Sequence, residues 1–239
     1  MAPSKSAVTP ERFASGRTFA QYLAYIGTPE NLAREGTRGD RRQDWTTTFR
    51  AWHEASRLDD AQAGAVRWLA AQPGGPAKIL VISEDWSSDC RRDVPMLARL
   101  AEAGGMELRI FNRDGRRFGQ SQTPSLAEDP DSNADLMAEF MNEKKGQRWQ
   151  SIPVAVFYTK DLGYLYHYVE YPAIYRKDRL VHDHIRAPRP GETSAETQAR
   201  ATTEFAALQQ SPFFRIWASA AVDEILTRLH ERLTLGSLP

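Results

Sequence analysis

Cys90 is the one cysteine of the chain, and it closes the run Trp86-Ser87-Ser88-Asp89-Cys90. A thiol does chemistry as its thiolate, which a helix N-terminus or a neighbouring cation favours and a neighbouring anion disfavours. Arg91 and Arg92 follow Cys90 directly, while Glu84, Asp85, Asp89 and Asp93 bring negative charge to the same stretch, so the sign of the shift stays open at this level. Free cysteine also packs as a small hydrophobe, which makes an inert core thiol an equal reading. Three residues earlier stands Ser87, whose hydroxyl is a poor nucleophile without a base, and no histidine lies close in sequence. Ser87 and Ser88 read more readily as helix caps. The chain has neither a Gly-x-Ser-x-Gly elbow nor a glycine-rich phosphate loop. His182 and His184 alone among the five histidines have a spacing that would put two imidazoles on one side of an extended segment. With only Asp183 beside them, a solvated basic loop is the stronger reading and no metal site is expected.

The elements around Cys90 follow from periodicity. Ile79 to Ile82 is an unbroken apolar run, the pattern of a buried strand, and Val94, Leu97, Ala98 and Leu100 then recur at helical spacing up to Gly104-Gly105. Cys90 therefore sits at a helix start, where backbone N–H groups are unpaired and the helix dipole is positive. Met106 to Asn112 is a second strand, and strand–helix–strand favours a parallel right-handed crossover. Ser132 or Asn133 opens a helix through Met141 that ends near Gly146. Ser151-Ile152-Pro153 leads an apolar strand, and Tyr164 to Val169 returns antiparallel; proline is tolerated at a strand's first residue, where no N–H is required. Upstream, one helix is expected from Glu11 to Ile26, a charged surface loop from Glu30 to Asp44, and two further helices marked by Trp45, Phe49 and Trp52 and by Val66 and Leu69. Downstream, Ala173 to Pro190 reads as irregular and basic. Two helices follow, the last from Pro212 with Phe213, Ile216, Trp217, Ala220, Ile225, Leu229 and Leu233 on its apolar side. Residues 1–10, rich in proline and serine, read as mobile.

The stretch from Lys78 to Leu100 resembles the active-site turn of the thioredoxin superfamily, most closely bacterial proteins with Trp-Cys-x-Asp-Cys there, with Ser87 in place of the first cysteine. The resemblance implies an α/β thioredoxin-like fold, a central mixed sheet flanked by helices. It divides the chain into an N-terminal helical extension (1–75), a thioredoxin-like core (76–172), and a basic loop with C-terminal helices on the core (173–239). It also implies a cis peptide bond at Ile152-Pro153 against the turn, and a cleft in which Trp86, Ser88, Asp89, Ile152 and Pro153 contact a ligand. In that pattern Ser87 stands where the nucleophilic cysteine is missing, and Cys90 is the inner, resolving thiol. Val81 replaces the buried acid that manages protons in thioredoxins proper.

Dithiol cycling is thus excluded, since one cysteine cannot close an internal disulfide. One expectation is monothiol or lost thiol–disulfide exchange, with no resident cofactor and with glutathione as the external thiol that would resolve a mixed disulfide. A second is a non-catalytic module binding a protein or peptide, and a third a glutathione-transferase-like enzyme using Ser87. Lysine plus arginine equals aspartate plus glutamate at 31 each, which argues against nucleic acid or an acidic membrane as partner. No window approaches a membrane span and the start lacks a signal-peptide core, so a cytoplasmic location is expected. The oligomeric state stays open.

Overall fold

The computed structural model describes residues 8–37 and 42–236; residues 1–7, most of the stretch read as mobile, and Gly39 of the charged loop lie outside them. At the centre is β1 (Lys78–Ser83), whose residues Ile79 to Ile82 are fully buried. Helices cover both faces of this strand, which is why its apolar run is continuous and not alternating. It pairs in parallel with β2 (Glu107–Asn112), Lys78 opposite Glu107 and Ser83 opposite Asn112. On its other side it pairs antiparallel with β5 (Val154–Tyr158), which in turn pairs antiparallel with β6 (Tyr164–Val169), giving the order β2-β1-β5-β6. The crossover between β1 and β2 is α6 (Ser88–Gly104), ended by Gly105 at φ 64°, the left-handed conformation glycine adopts without strain.

The N-terminal segment departs from the single helix its apolar pattern predicts. It forms α1 (Pro10–Ala14) and α2 (Phe19–Ile26), separated by an extended link in which Arg17 exchanges backbone hydrogen bonds with Ile110 at 2.9 and 2.7 Å. This bridge occupies the open edge of β2, and a Cβ on Gly16 would fall 2.5 Å from the Phe111 ring. Thr18 and Gln21 then form a capping box that restarts the helix. After the short turn α3 (Pro29–Leu32) come α4 (Thr46–Ala55) and α5 (Asp60–Ala70), both packed on α6 as their apolar faces predict.

Three further segments differ from expectation. Between β2 and β5 the predicted helix stops after α7 (Ala134–Glu139), and a hairpin follows, β3 (Asn142–Lys144) and β4 (Gln147–Trp149). Gly146 is its turn residue, with Lys145 at φ 52° and Gly146 at φ 73°, the pair of positive angles that tight hairpins require. The basic segment after β6 is not irregular: Asp178–Ile185 is π-helical, its Val181 and Ile185 buried and the Arg186 N–H donating to the Val181 carbonyl at 2.8 Å. In the C-terminal pair α8 (Ser194–Gln210) and α9 (Pro212–Leu235), the buried face of α9 is Phe214, Trp217, Ala218, Ala221, Val222, Ile225, Leu226 and Leu229, while Phe213 and Ile216 are exposed. Trp217 stacks on Tyr175 at 3.6 Å, and with Val181 and Phe214 they make a small second core. No helix among the described residues is long and apolar enough to cross a membrane.

Candidate functional site

β1 delivers the chain into the turn Glu84-Asp85-Trp86, and Ser87 is the N-cap of α6, its Oγ accepting from the Cys90 N–H at 3.4 Å. Cys90 is fully buried. Burial pushes its thiol up to about 12, although the Ser83 and Ser87 hydroxyls and the Glu84 backbone N–H favour the thiolate. The helix start therefore does not yield a thiolate here, because the sulfur faces the core and not the cleft.

Outside that turn lies an open cleft of about 660 Å³ lined by Trp86, Ser87, Ser88, Asp89 and Ile152. Five of the residues singled out from sequence thus meet on one wall. Pro153 is buried behind Ile152, with which it forms a cis peptide bond, and Cys90 does not line the cleft. The Pro153 carbonyl accepts from the Glu170 N–H at 2.8 Å, and the Gln150 carbonyl accepts from Arg113 at 2.9 Å, so the loop bearing Ile152 is fixed at both ends. No described residue hydrogen-bonds the backbone N–H or C=O of Ile152 itself. Trp86 is half-buried; its indole N–H lies 3.4 Å from Asp114 Oδ2, its ring packs on Phe118 at 5.2 Å, and the Arg113 guanidinium sits 5.0 Å above it.

Asp89 faces charge partners. Its carboxylate accepts from Arg92 at 2.9 Å and from Lys177 at 2.5 Å. Arg92, also fully buried, forms a bidentate pair with Asp93 at 2.6 and 2.7 Å, and Tyr168 donates to Asp93 at 2.9 Å. Lys177 and Lys144 both reach Glu170, at 2.7 and 3.1 Å. Burial alone would raise the Glu170 carboxyl, but the two lysines overcome it and hold the group at about 2.

A second buried network lies beneath the turn. Glu84 pairs with Arg34 at 2.7 Å and with Arg42; Arg42 also reaches Asp85 at 2.6 Å, and Arg113 grips Asp114 at 2.6 Å. Asn31 donates to Asp85 at 3.0 Å. The stretch from Glu30 to Asp44 is therefore not simply a surface loop: Asn31, Arg34 and Arg42 are buried, because two carboxylates at the end of a core strand require cations. The adjacent Glu84 and Asp85 after an apolar strand were the signal for this. Nothing in sequence marked Arg148, Trp149, Arg186 or Phe205 as further cleft residues. His182 also lines the cleft, but in a π-helical turn and not an extended segment, so the two-residue spacing to His184 does not align their rings. The described residues hold no group of three or more potential metal ligands.

The sequence profile of the thioredoxin family matches residues 37–125, a stretch that contains β1, α6 and β2 with the Ser87 turn between them. Together with the mixed sheet and its flanking helices, this establishes a thioredoxin-like domain in the chain. Two solved structures resemble the chain along nearly its whole length. One, from Pseudomonas aeruginosa, is described as a protein of unknown function: 14% identity, TM-score 0.51, covering 93% of this chain and 98% of the other. The second is an HIV epitope scaffold, at 16% identity and TM-score 0.50, covering 97% and 100%. At these identities the likeness is one of fold. No curated protein matches the chain.

Proposed function

We propose that this chain is a thioredoxin-fold binding module whose cleft receives an extended segment of a protein or peptide, with thiol–disulfide exchange lost. The observation that carries the reading is the position of Cys90. Its sulfur is buried behind the N-cap serine, and burial holds it as a thiol far above neutral pH. Ser87, in the outer position of the turn, is engaged as a cap and has no base to activate it. The cleft beside it keeps what binding requires: an aromatic wall at Trp86 and the unpaired backbone of Ile152, an edge to which an extended chain adds by main-chain hydrogen bonds. The thiol is dispensable in this reading and the wall is not.

The test is an array of immobilised twelve-residue unstructured peptides probed with labelled full-length protein. Cys90→Ala is expected to retain the wild-type pattern and affinity within about twofold, whereas Trp86→Ala, which removes aromatic area from the wall, is expected to weaken binding by about tenfold or more. Loss of binding in Cys90→Ala, with the variant folded by circular dichroism, would return the thiol to the centre of the function.

A further inference from the structure

We infer that the segment received by this cleft is acidic. The inference rests on the binding reading above and concerns the charges of the cleft. Across the whole chain cations and anions balance at 31 each, but the cleft walls do not. They carry Arg91, Arg113, Arg148, Lys177 and Arg186 against Asp89 and Glu170. Both carboxylates are already answered from within the fold: Asp89 by Arg92 and Lys177, Glu170 by Lys177 and Lys144. Arg113 is matched by Asp114. Three cations remain with no carboxylate partner among the described residues.

Arg91 donates to the Asp85 and Trp86 carbonyls at 3.0 and 2.7 Å and lies 3.7 Å over the Trp45 ring, buried in the turn with the Asp85 and Asp89 carboxylates nearby, so it adds little to the open cleft. Arg148 makes only a 3.3 Å hydrogen bond to the Ala138 carbonyl, and Arg186 rests 5.3 Å over Phe205. These last two come from different parts of the chain, β4 and the end of the π-helical segment, and both are exposed. Arg148 spends one N–H on a carbonyl and Arg186 rests on a ring, which leaves their other N–H donors for an incoming carboxylate, and an excess of one sign in the walls concentrates the field in the space between them. A strand added at Ile152 presents alternate side chains to the two sides of the cleft, which Arg148 and Arg186 also line.

The experiment is fluorescence anisotropy with the full chain and two labelled twelve-residue peptides. In one, aspartate alternates with serine around a central tyrosine; in the other, every aspartate is asparagine. At 50 mM salt the acidic peptide is expected to bind at least tenfold more tightly, with the margin shrinking as salt is raised. The double variant Arg148→Glu, Arg186→Glu, both positions exposed, is expected to reverse the preference. Equal affinity for the two peptides overturns the acidic assignment and leaves the binding reading standing; failure of both peptides to bind overturns the two together. Tighter binding of a single-stranded twelve-nucleotide DNA than of the acidic peptide overturns it as well, since bare phosphate charge would then suffice.

Discussion

Glu170 shows how single residues hold the cleft in shape. It closes β6 at φ 67°, ties its N–H to the Pro153 carbonyl, and binds two lysines through its carboxylate. Its ordinary value is 4.5 and its folded value about 2. Above about pH 4.5 the group is ionised in folded and unfolded chains alike and its stabilisation is fully present; that stabilisation drains away as pH falls from about 4.5 toward 2. The full effect is on the order of 3 kcal/mol. Urea denaturation of wild type and Glu170→Gln across pH 7 to 3 checks this: the stability gap between them is expected to narrow as pH drops, and a gap that stays constant would remove the carboxylate's charge from the account. Cys90 is the contrasting residue. Its place at a helix start was legible in the spacing from Ile82 to Val94, but the direction of its side chain depends on what packs over α6, and one-dimensional pattern carries no such information.

At the scale of elements, the helical prefix is fastened to the site by charge. Arg34 and Arg42, from the segment between α2 and α4, neutralise Glu84 and Asp85 directly below the Ser87 turn. Arg42→Ala would leave both carboxylates buried and short of a partner, a loss of about 3–5 kcal/mol. Chemical denaturation is expected to show that drop, and a loss under about 1 kcal/mol would mean that water or Arg34 replaces the missing guanidinium. These elements differ in how far sequence exposed them. β1 and β5 were legible as unbroken apolar runs, and α6 from apolar residues that keep helical spacing from Val94 to Leu100. The burial of Arg34 and Arg42 was not, since charged residues between glycines look like a solvated loop until the acids they pair with are brought near. The break at Gly16 and Arg17 lies between apolar residues, Phe13 and Phe19 to Ile26, that read together as one helix, although Phe13 falls off their common face and Thr18 and Gln21 carry the capping-box signature. Gly146 fits a helix stop and a hairpin turn equally well, and only the pairing of Asn142 with Trp149 separates the two.

The whole molecule is a thioredoxin-like sheet enclosed by helices contributed from both ends of the chain: α4, α5 and α9 all pack on α6, and α9 also covers β6. That enclosure places Cys90 in the principal core with Ile79 to Ile82 and Val94 on the far side of Ser87 from the cleft. A reagent therefore reaches the sulfur only when the structure opens, whereas a ligand in the cleft meets the half-buried Trp86 without any opening. The separation of an accessible binding wall from an inaccessible thiol is the central claim, and the alkylation rate of Cys90 by iodoacetamide at pH 8 addresses it directly. Raising the thiol from its ordinary range to about 12 lowers the thiolate fraction by about 10³. The folded protein is expected to react at least about 100-fold more slowly than the same chain in denaturing urea. A folded-state rate equal to or above the unfolded one would contradict the account and make Cys90 a working thiol.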